Sequence, residues 1–276
     1  MFKLKKISGW ESIVFGMLIL WAVVSLLPLY WMFSSSFKSV TAVVKLPPEW
    51  FPVHPTMKNY INLLSQAPVL RWIFNSAVVA FAVTGNAMLT CSMAGYALAK
   101  KKFPGDKFIF WLCVGTMMVP WQVWIIPLFK IVVRLGWVNT YTGLIVPALA
   151  CPFGVFLMRQ FTQALPSELI DAGRIDGCGE FGIYWRIILP LSKPALALLG
   201  IFIFVASWNN FIWPLIVTSS GSMRTLPVGL TTLQTQFRTD YGLLMAGSSL
   251  AALPVIILFL GFQKYFIKEM TLGAIR

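Results

Sequence analysis

The chain has 276 residues, of which 58% are hydrophobic and only 11% charged; its net charge is +13 and its mean hydropathy +0.78. A soluble domain carries about a quarter charged residues to cover its surface, so most of this surface must face something other than water, and a bilayer is the simplest candidate. The same apolar fraction excludes a soluble basic module for nucleic acid, because the cations lie between apolar runs and not on one polar face.

In chain order, Lys3, Lys5 and Lys6 precede an apolar run that begins at Ile13 and continues past Trp21 to Phe33. No small-x-small cleavage pattern follows, so the run reads as an uncleaved first span and not as a signal peptide. A hydrocarbon core about 30 Å thick needs roughly 20 helical residues. Six segments meet that length, approximately 10–33, 72–99, 108–129, 141–159, 194–218 and 241–263. The third carries Pro120 and Pro127, the fourth Pro147 and Pro152. Each proline frees a backbone carbonyl that a neighbouring helix or a wet cavity must satisfy. Kinked helices around a pathway and ordinary packing irregularity account for them equally well.

Lys and Arg set the orientation. With the N-terminus inside, residues 1–9, 100–107, 160–193 and 264–276 are cytoplasmic and, with Arg159 at their border, hold 14 of the 22 cations. The cluster Lys100-Lys101-Lys102 carries much of this bias. Both termini are therefore expected in the cytoplasm. The outer segment 34–71 is rich in proline and reads as extended or irregular. The division that follows is a first span with outer loop over 1–70, a core of five spans over 71–266 and a cytoplasmic tail over 267–276.

The inner loop 160–193 is different in kind, since Glu168, Asp171, Asp176 and Glu180 make up four of the nine acidic residues. Its spacing predicts two short helices about a glycine break. Ser167 is placed to cap the first, with Glu168 against its N-terminal dipole. Gly177 suits a C-terminal cap with positive φ. Phe181, Trp185 and Ile188 fall on one face of the second helix, which Pro190 and Pro194 end before the fifth span. Ala172, Gly173 and Gly177 leave little bulk, a shape for docking against a partner and not for catalysis.

This loop resembles the signature of the permease subunits of binding-protein-dependent ATP-binding cassette importers. That signature reads Glu-Ala-Ala, three residues, Gly, nine residues, Ile-x-Leu-Pro; here it runs Asp171-Ala172-Gly173, Gly177, then Ile187, Leu189 and Pro190. Asp171 and Gly173 depart from it but keep charge and smallness. Sugar-importer permeases, the maltose-type second subunit in particular, are similar to Phe74-Asn75-Ser76, Lys102-Phe103-Pro104-Gly105, Trp208 to Leu215 and Thr225 to Leu230. The ending Gln263 to Lys268 with Thr271 to Ala274 is similar too, except that Glu269 stands where glycine is usual.

The resemblance implies an all-α polytopic protein of the inner membrane, with six transmembrane helices in the type I importer fold. It implies transport of a sugar or oligosaccharide brought by an extracytoplasmic solute-binding protein. Its further partners would be a second homologous permease, two nucleotide-binding ATPase subunits and membrane lipid. ATP and Mg would be used by the ATPase, with no cofactor on this chain. Glu168, Asp171, Ala172, Gly173, Asp176 and Gly177 would then form the contact with the ATPase. For the pathway, polar residues within spans are the candidates, since they are costly in lipid: Asn75, Asn86, Gln122, Asn209 and Asn210, with Trp121, Trp124, Trp208 and Trp213 able to stack on a sugar. The competing account is that Trp marks the membrane interface and Asn bonds a neighbouring helix.

Other classes fit less well. An enzyme needs a nucleophile with a base or a metal cluster, yet His54, the only histidine, lies beside Pro55 in the outer loop, and the four cysteines form no CxxC pair. An ion-coupled carrier would place charges mid-span and show inverted repeats. Glycerol phosphate or a polyol remains open as the solute. No G-x-x-x-x-G-K-[ST] loop occurs, so ATP chemistry must come from a partner.

Overall fold

The computed structural model describes residues 9–234 and 240–273, with side chains as far as Gln263. The lysines Lys3, Lys5 and Lys6, Arg238 and the side chains of the C-terminal ending, Glu269 included, lie outside the described residues. The helices run in chain order α1 (Gly9–Ser36), α2 (Val40–Val43), α3 (Lys58–Gln66), α4 (Val69–Lys100) and α5 (Asp106–Met117). Then come α6 (Ile125–Arg134), α7 (Tyr141–Ile145), α8 (Pro152–Ala164), α9 (Glu168–Ile175) and α10 (Glu180–Ile183). The last are α11 (Leu189–Leu191), α12 (Lys193–Trp208), α13 (Ile212–Val217), α14 (Leu226–Thr231) and α15 (Tyr241–Gly273).

Among the described residues three helices, α1, α4 and α15, are long and apolar enough to cross a membrane unbroken. The other three expected spans are broken. The third bends by 94° between α5 and the 3₁₀ turn Trp121–Trp124, where Pro120 denies the helix a donor. The fourth bends by 42° before Pro152. The fifth, expected as one helix over 194–218, stops at Trp208 and restarts at Ile212, and a 77° bend separates α12 from the residues before it. Counting each bent pair as one span gives up to six.

Two compact units result. One takes in residues up to 67 together with 230–252. In it α1 exposes Phe15, Leu20, Trp21 and most of its other apolar side chains, the condition of a helix facing lipid. Its last turn is anchored: Ser34 Oγ and the Tyr30 hydroxyl each donate to the Trp50 carbonyl at 2.9 Å. Asn59 donates to the carbonyls of Ser36 and Lys38, both at 2.8 Å. Lys38 is buried, its ammonium 4.1 Å from the Trp31 ring centre and donating to the Glu49 carbonyl. Burial pushes its pKa below the ordinary lysine value, against the pull of Glu49.

The other unit takes in residues 68–229 and those from 253 on. Its core is α4 packed against α8 and α12, around Ala87, Cys91, Met158, Ala195, Leu196 and Leu199. Helices in a bilayer gain nothing from hiding apolar surface from lipid, so they associate where small residues let backbones approach. Ala87, Cys91 and Gly95 stand four apart on α4 and supply that face. A Cβ on Gly95 would lie 2.6 Å from Met158 Cβ and 2.8 Å from the Arg159 nitrogen; one on Gly154 would lie 2.7 Å from Cys91 Sγ.

Gly95→Ala is therefore expected to force α4 and α8 apart and to cost about 1–3 kcal/mol of stability. Gly85, which has nothing within 4 Å of a new Cβ, is the control. Thermal unfolding of the purified protein in lipid nanodiscs should show a lowered midpoint for Gly95→Ala and an unchanged one for Gly85→Ala.

Candidate functional site

The segment between α8 and α12 forms a hairpin of two short helices. In α9 only Ile170 and Gly173 are buried; Glu168, Asp171, Ala172, Arg174 and Ile175 are exposed. The helix ends in a Schellman arrangement, with the Cys178 N–H on the Gly173 carbonyl at 2.9 Å and the Gly177 N–H on the Arg174 carbonyl at 3.0 Å. Gly177 has φ +77°, the left-handed conformation expected of it.

Three expectations about this loop are corrected. Ser167 does not cap α9 through its side chain: its backbone is already helical, its carbonyl accepts from Ile170 and Asp171, and its Oγ lies 3.3 Å from Lys100 Nζ. Gly173 does not present its smallness outward. It faces the second half of the hairpin, where a Cβ would meet Ile187 Cδ1 at 2.6 Å. Phe181 and Trp185 do not share a buried face with Ile188, being 71% and 52% exposed. The backbone over Tyr184–Ile188 is a π-turn, which inserts an extra residue and shifts the phase, so Ile183, Tyr184 and Ile188 are buried instead.

The hairpin is tied to the C-terminal end of α4. Glu180 forms an ion pair with Lys101, accepts from the Tyr96 hydroxyl at 3.0 Å and faces Arg174 at 3.5 Å. Arg174 reaches Asp171 at 3.1 Å. The hydroxyls of Tyr184 and Ser92 are 2.6 Å apart. Lys100 Nζ donates to the carbonyls of Leu165 and Gln163, neutralising the exposed acceptors at the end of α8. The Lys101 ammonium beside Glu180 holds its carboxyl below the usual carboxylate range, helped by Tyr96 and Arg174 and opposed by partial burial. Composition had marked Lys100 and Lys101 only as orientation charges. The signal for their second role was present in the sequence, a cationic helix end facing a loop rich in acids.

The pathway candidates are dispersed. Asn75 is fully buried and its amide is occupied: it donates to the carbonyls of Ser222 and Arg224, both at 2.8 Å, and accepts from the Tyr141 hydroxyl at 2.6 Å. Asn86 donates to the Leu149 carbonyl at 3.2 Å, in the break before α8. Trp208 is buried and stacked on Phe204 at 5.8 Å, and Trp213 donates to the Gly143 carbonyl at 3.0 Å. Asn75, Asn86 and Trp213 join separate segments of the chain, while Trp208 stacks within its own helix. Gln122, with Trp121 and Trp124, is exposed on the 3₁₀ turn at the break after α5, while exposed Asn209 and half-buried Asn210 occupy the break between α12 and α13. Two grooves among the described residues are lined by none of them. One is apolar, bounded by Ile125, Phe129, Val133 and Ile216; the other lies between α1 and α3, around Lys45 and His54. Among the described residues no group of His, Cys, Asp or Glu is placed to hold a metal ion.

Among the described residues the elements are all helices, with up to six candidate spans and an exposed hairpin on a cationic helix end, the architecture of a multi-pass membrane protein. Residues 91–272 match the family of binding-protein-dependent transport system inner membrane components, and the chain belongs to that family. It is a multi-pass protein of the inner membrane. It is 40% identical to the arabinooligosaccharides transport system permease protein AraQ of Halalkalibacterium halodurans over 92% of each chain. It is 45% identical to the AraQ of Bacillus subtilis over 79% of this chain and 78% of that one. It is 32% identical to the sn-glycerol-3-phosphate transport system permease protein UgpE of Brucella abortus, over 92% of this chain and 93% of that one. In fold it is similar to a chain in the crystal structure of a bacterial ABC transporter involved in import of the acidic polysaccharide alginate. That match has a TM-score of 0.83 and 23% identity, over 96% of this chain and all of that one.

Two outcomes follow. Asn75→Ala strips partners from two carbonyls and a tyrosine hydroxyl, each worth about 1–3 kcal/mol when left buried and unpaired, whereas Asn209→Ala removes an exposed amide. The first should lower the unfolding midpoint by several degrees and the second leave it unchanged. For Glu180, a carboxyl depressed on folding stabilises the protein above its unfolded pKa of about 4.3, and this contribution disappears as pH falls through the lower folded value. The effect of Glu180→Gln, within about 1 kcal/mol for a half-exposed pair, should therefore be visible in the midpoint at pH 7 and shrink steadily as the pH is lowered below the unfolded value.

Proposed function

We propose that this chain is the membrane-spanning subunit of an ATP-binding cassette importer of type I fold that admits a sugar or oligosaccharide. An extracytoplasmic binding protein delivers the solute, a second homologous permease completes the pathway, and two separate subunits use ATP and Mg to drive the cycle. Both termini lie in the cytoplasm on this reading, and α9 enters the ATPase. The exposed hairpin carries it: Glu168, Asp171, Ala172 and Asp176 all stand on solvent, with the apolar Ile175 exposed beside them. The names of the relatives at 40% and 45% identity support an arabinose-type oligosaccharide as the solute. The glycerol phosphate relatives, at 32%, support a second reading. Exposed Gln122, Asn209 and Asn210 lie at chain breaks and are better placed for a pathway shared with the second permease than buried Asn75 and Trp208.

The docking test is best made at Ala172. Gly177→Trp would strain the backbone by about 1–2 kcal/mol at a left-handed φ whatever it touched, but Ala172 sits exposed in ordinary helix. Ala172→Trp should leave the chain inserted and paired with its sister permease, and should abolish both co-purification of the ATPase and uptake into proteoliposomes. Uptake of labelled arabinotriose against labelled sn-glycerol 3-phosphate decides the solute. An Ala172→Trp complex that transports normally would remove α9 from the interface.

A further inference from the structure

Helix α4 holds a loop at each of its ends. At its C-terminal end Ser92, Tyr96 and Lys101 bind Tyr184 and Glu180, while Lys100 binds the end of α8, so both flanks of the hairpin are fastened to one helix. At its N-terminal end Trp72 Nε1 donates to the Gly221 carbonyl at 2.8 Å, and Asn75 donates to the carbonyls of Ser222 and Arg224. Ser76 Oγ there accepts from the Leu226 N–H at 2.8 Å. Trp72 and Lys101 are separated by about 43 Å at 1.5 Å per residue, the thickness of a bilayer with its headgroups. Between them α4 is unbroken, whereas the covalent route from the hairpin into α12 turns through 77°.

We infer that α4 is the rod that carries movement of the hairpin to the segment 221–226 on the opposite side, and that the Lys101–Glu180 pair is a positioning latch that makes the hairpin move with it. The inference rests on the docking proposed above for α9. Its physical basis is stiffness. A continuous helix clamped between α8 and α12 transmits a displacement along its axis, while a bent junction absorbs one. The hairpin grips α4 through charge and hydroxyl contacts at its rim, with Arg174 linking α9 to the same carboxylate, so a push on α9 reaches α4 without passing through the bend. At the far end the contacts run to backbone carbonyls and one backbone N–H, so the segment must follow the helix whatever its side chains do.

Hydrogen–deuterium exchange of the reconstituted complex, nucleotide-free against ATP with vanadate, reads both ends at once and needs no solute. In the parent complex nucleotide should protect 168–177 and change exchange over 221–226. Lys101→Glu and Glu180→Lys should each keep the protection at 168–177 and lose most of the change at 221–226, and the double exchange should restore it. A merely structural pair would not move the distant readout while sparing the near one. If the parent complex responds at 168–177 but not at 221–226, or if the single variants leave the distant response intact, or if the double exchange fails to restore it, the rod is overturned and the docking stands. If nucleotide changes neither segment in the parent, the docking itself is wrong and the rod falls with it.

Discussion

Inside a bilayer no water can bond a broken backbone, so each interruption of a helix must be satisfied by protein, and that requirement organises this chain. The break before α8 leaves the Leu149 carbonyl, which Asn86 of α4 takes up. The irregular stretch between α13 and α14 is held by Asn75, Trp72 and Ser76, all from the first turns of α4. Trp213 of α13 bonds the Gly143 carbonyl of α7. The polar residues that stand out in an apolar sequence are mostly spent in this way. At these places the peptide groups left by an interrupted helix find their partners within the protein.

The same economy places α4 at the centre of its unit. It is the longest uninterrupted helix there, and nearly every kind of contact found in the unit involves it: glycine and cysteine where α8 comes close, amide and indole donors at one end, cations and tyrosine hydroxyls at the other. The arrangement follows from its sequence. Small residues at Ala87, Cys91 and Gly95 occupy the middle, where backbones must approach in the absence of a hydrophobic drive. Long polar side chains occupy the ends, where an interface region can solvate whatever the partner leaves unpaired.

The helical class, the six apolar segments and the place of the hairpin in the chain were legible in the sequence because each depends on a property carried residue by residue: apolar run length, or glycine where φ is positive. Gly177 is the clearest instance, since its neighbours alone imply a helix end. The breaks were harder. Pro120 and Pro152 announced kinks, but the interruption at Asn209-Asn210 had no proline to mark it. The apolar face of the second hairpin helix was assigned by counting sevens, and a π-turn at Tyr184–Ile188 spoiled the count. Such a turn is set by what the helix packs against, here Tyr96 and Ser92 of α4, and not by the residues within it.

The two glycines of the hairpin show how one residue type serves opposite ends within a few positions. Gly177 has open space around its missing side chain and is required for its backbone angle. Gly173 has an ordinary helical backbone and lies against the tip of Ile187, whose Cδ1 would have to move aside for a Cβ. In the first case the chain needs a turn that reverses α9 toward the membrane; in the second it needs the two halves of the hairpin in direct contact. The hairpin thus turns its acidic side chains outward and buries Ile170, Ile183, Tyr184 and Ile188 in one cluster with Tyr96 of α4. A body of that kind can be displaced as a whole by a partner. A looser loop of the same composition would deform under the same force and pass little of it on to the helices behind it.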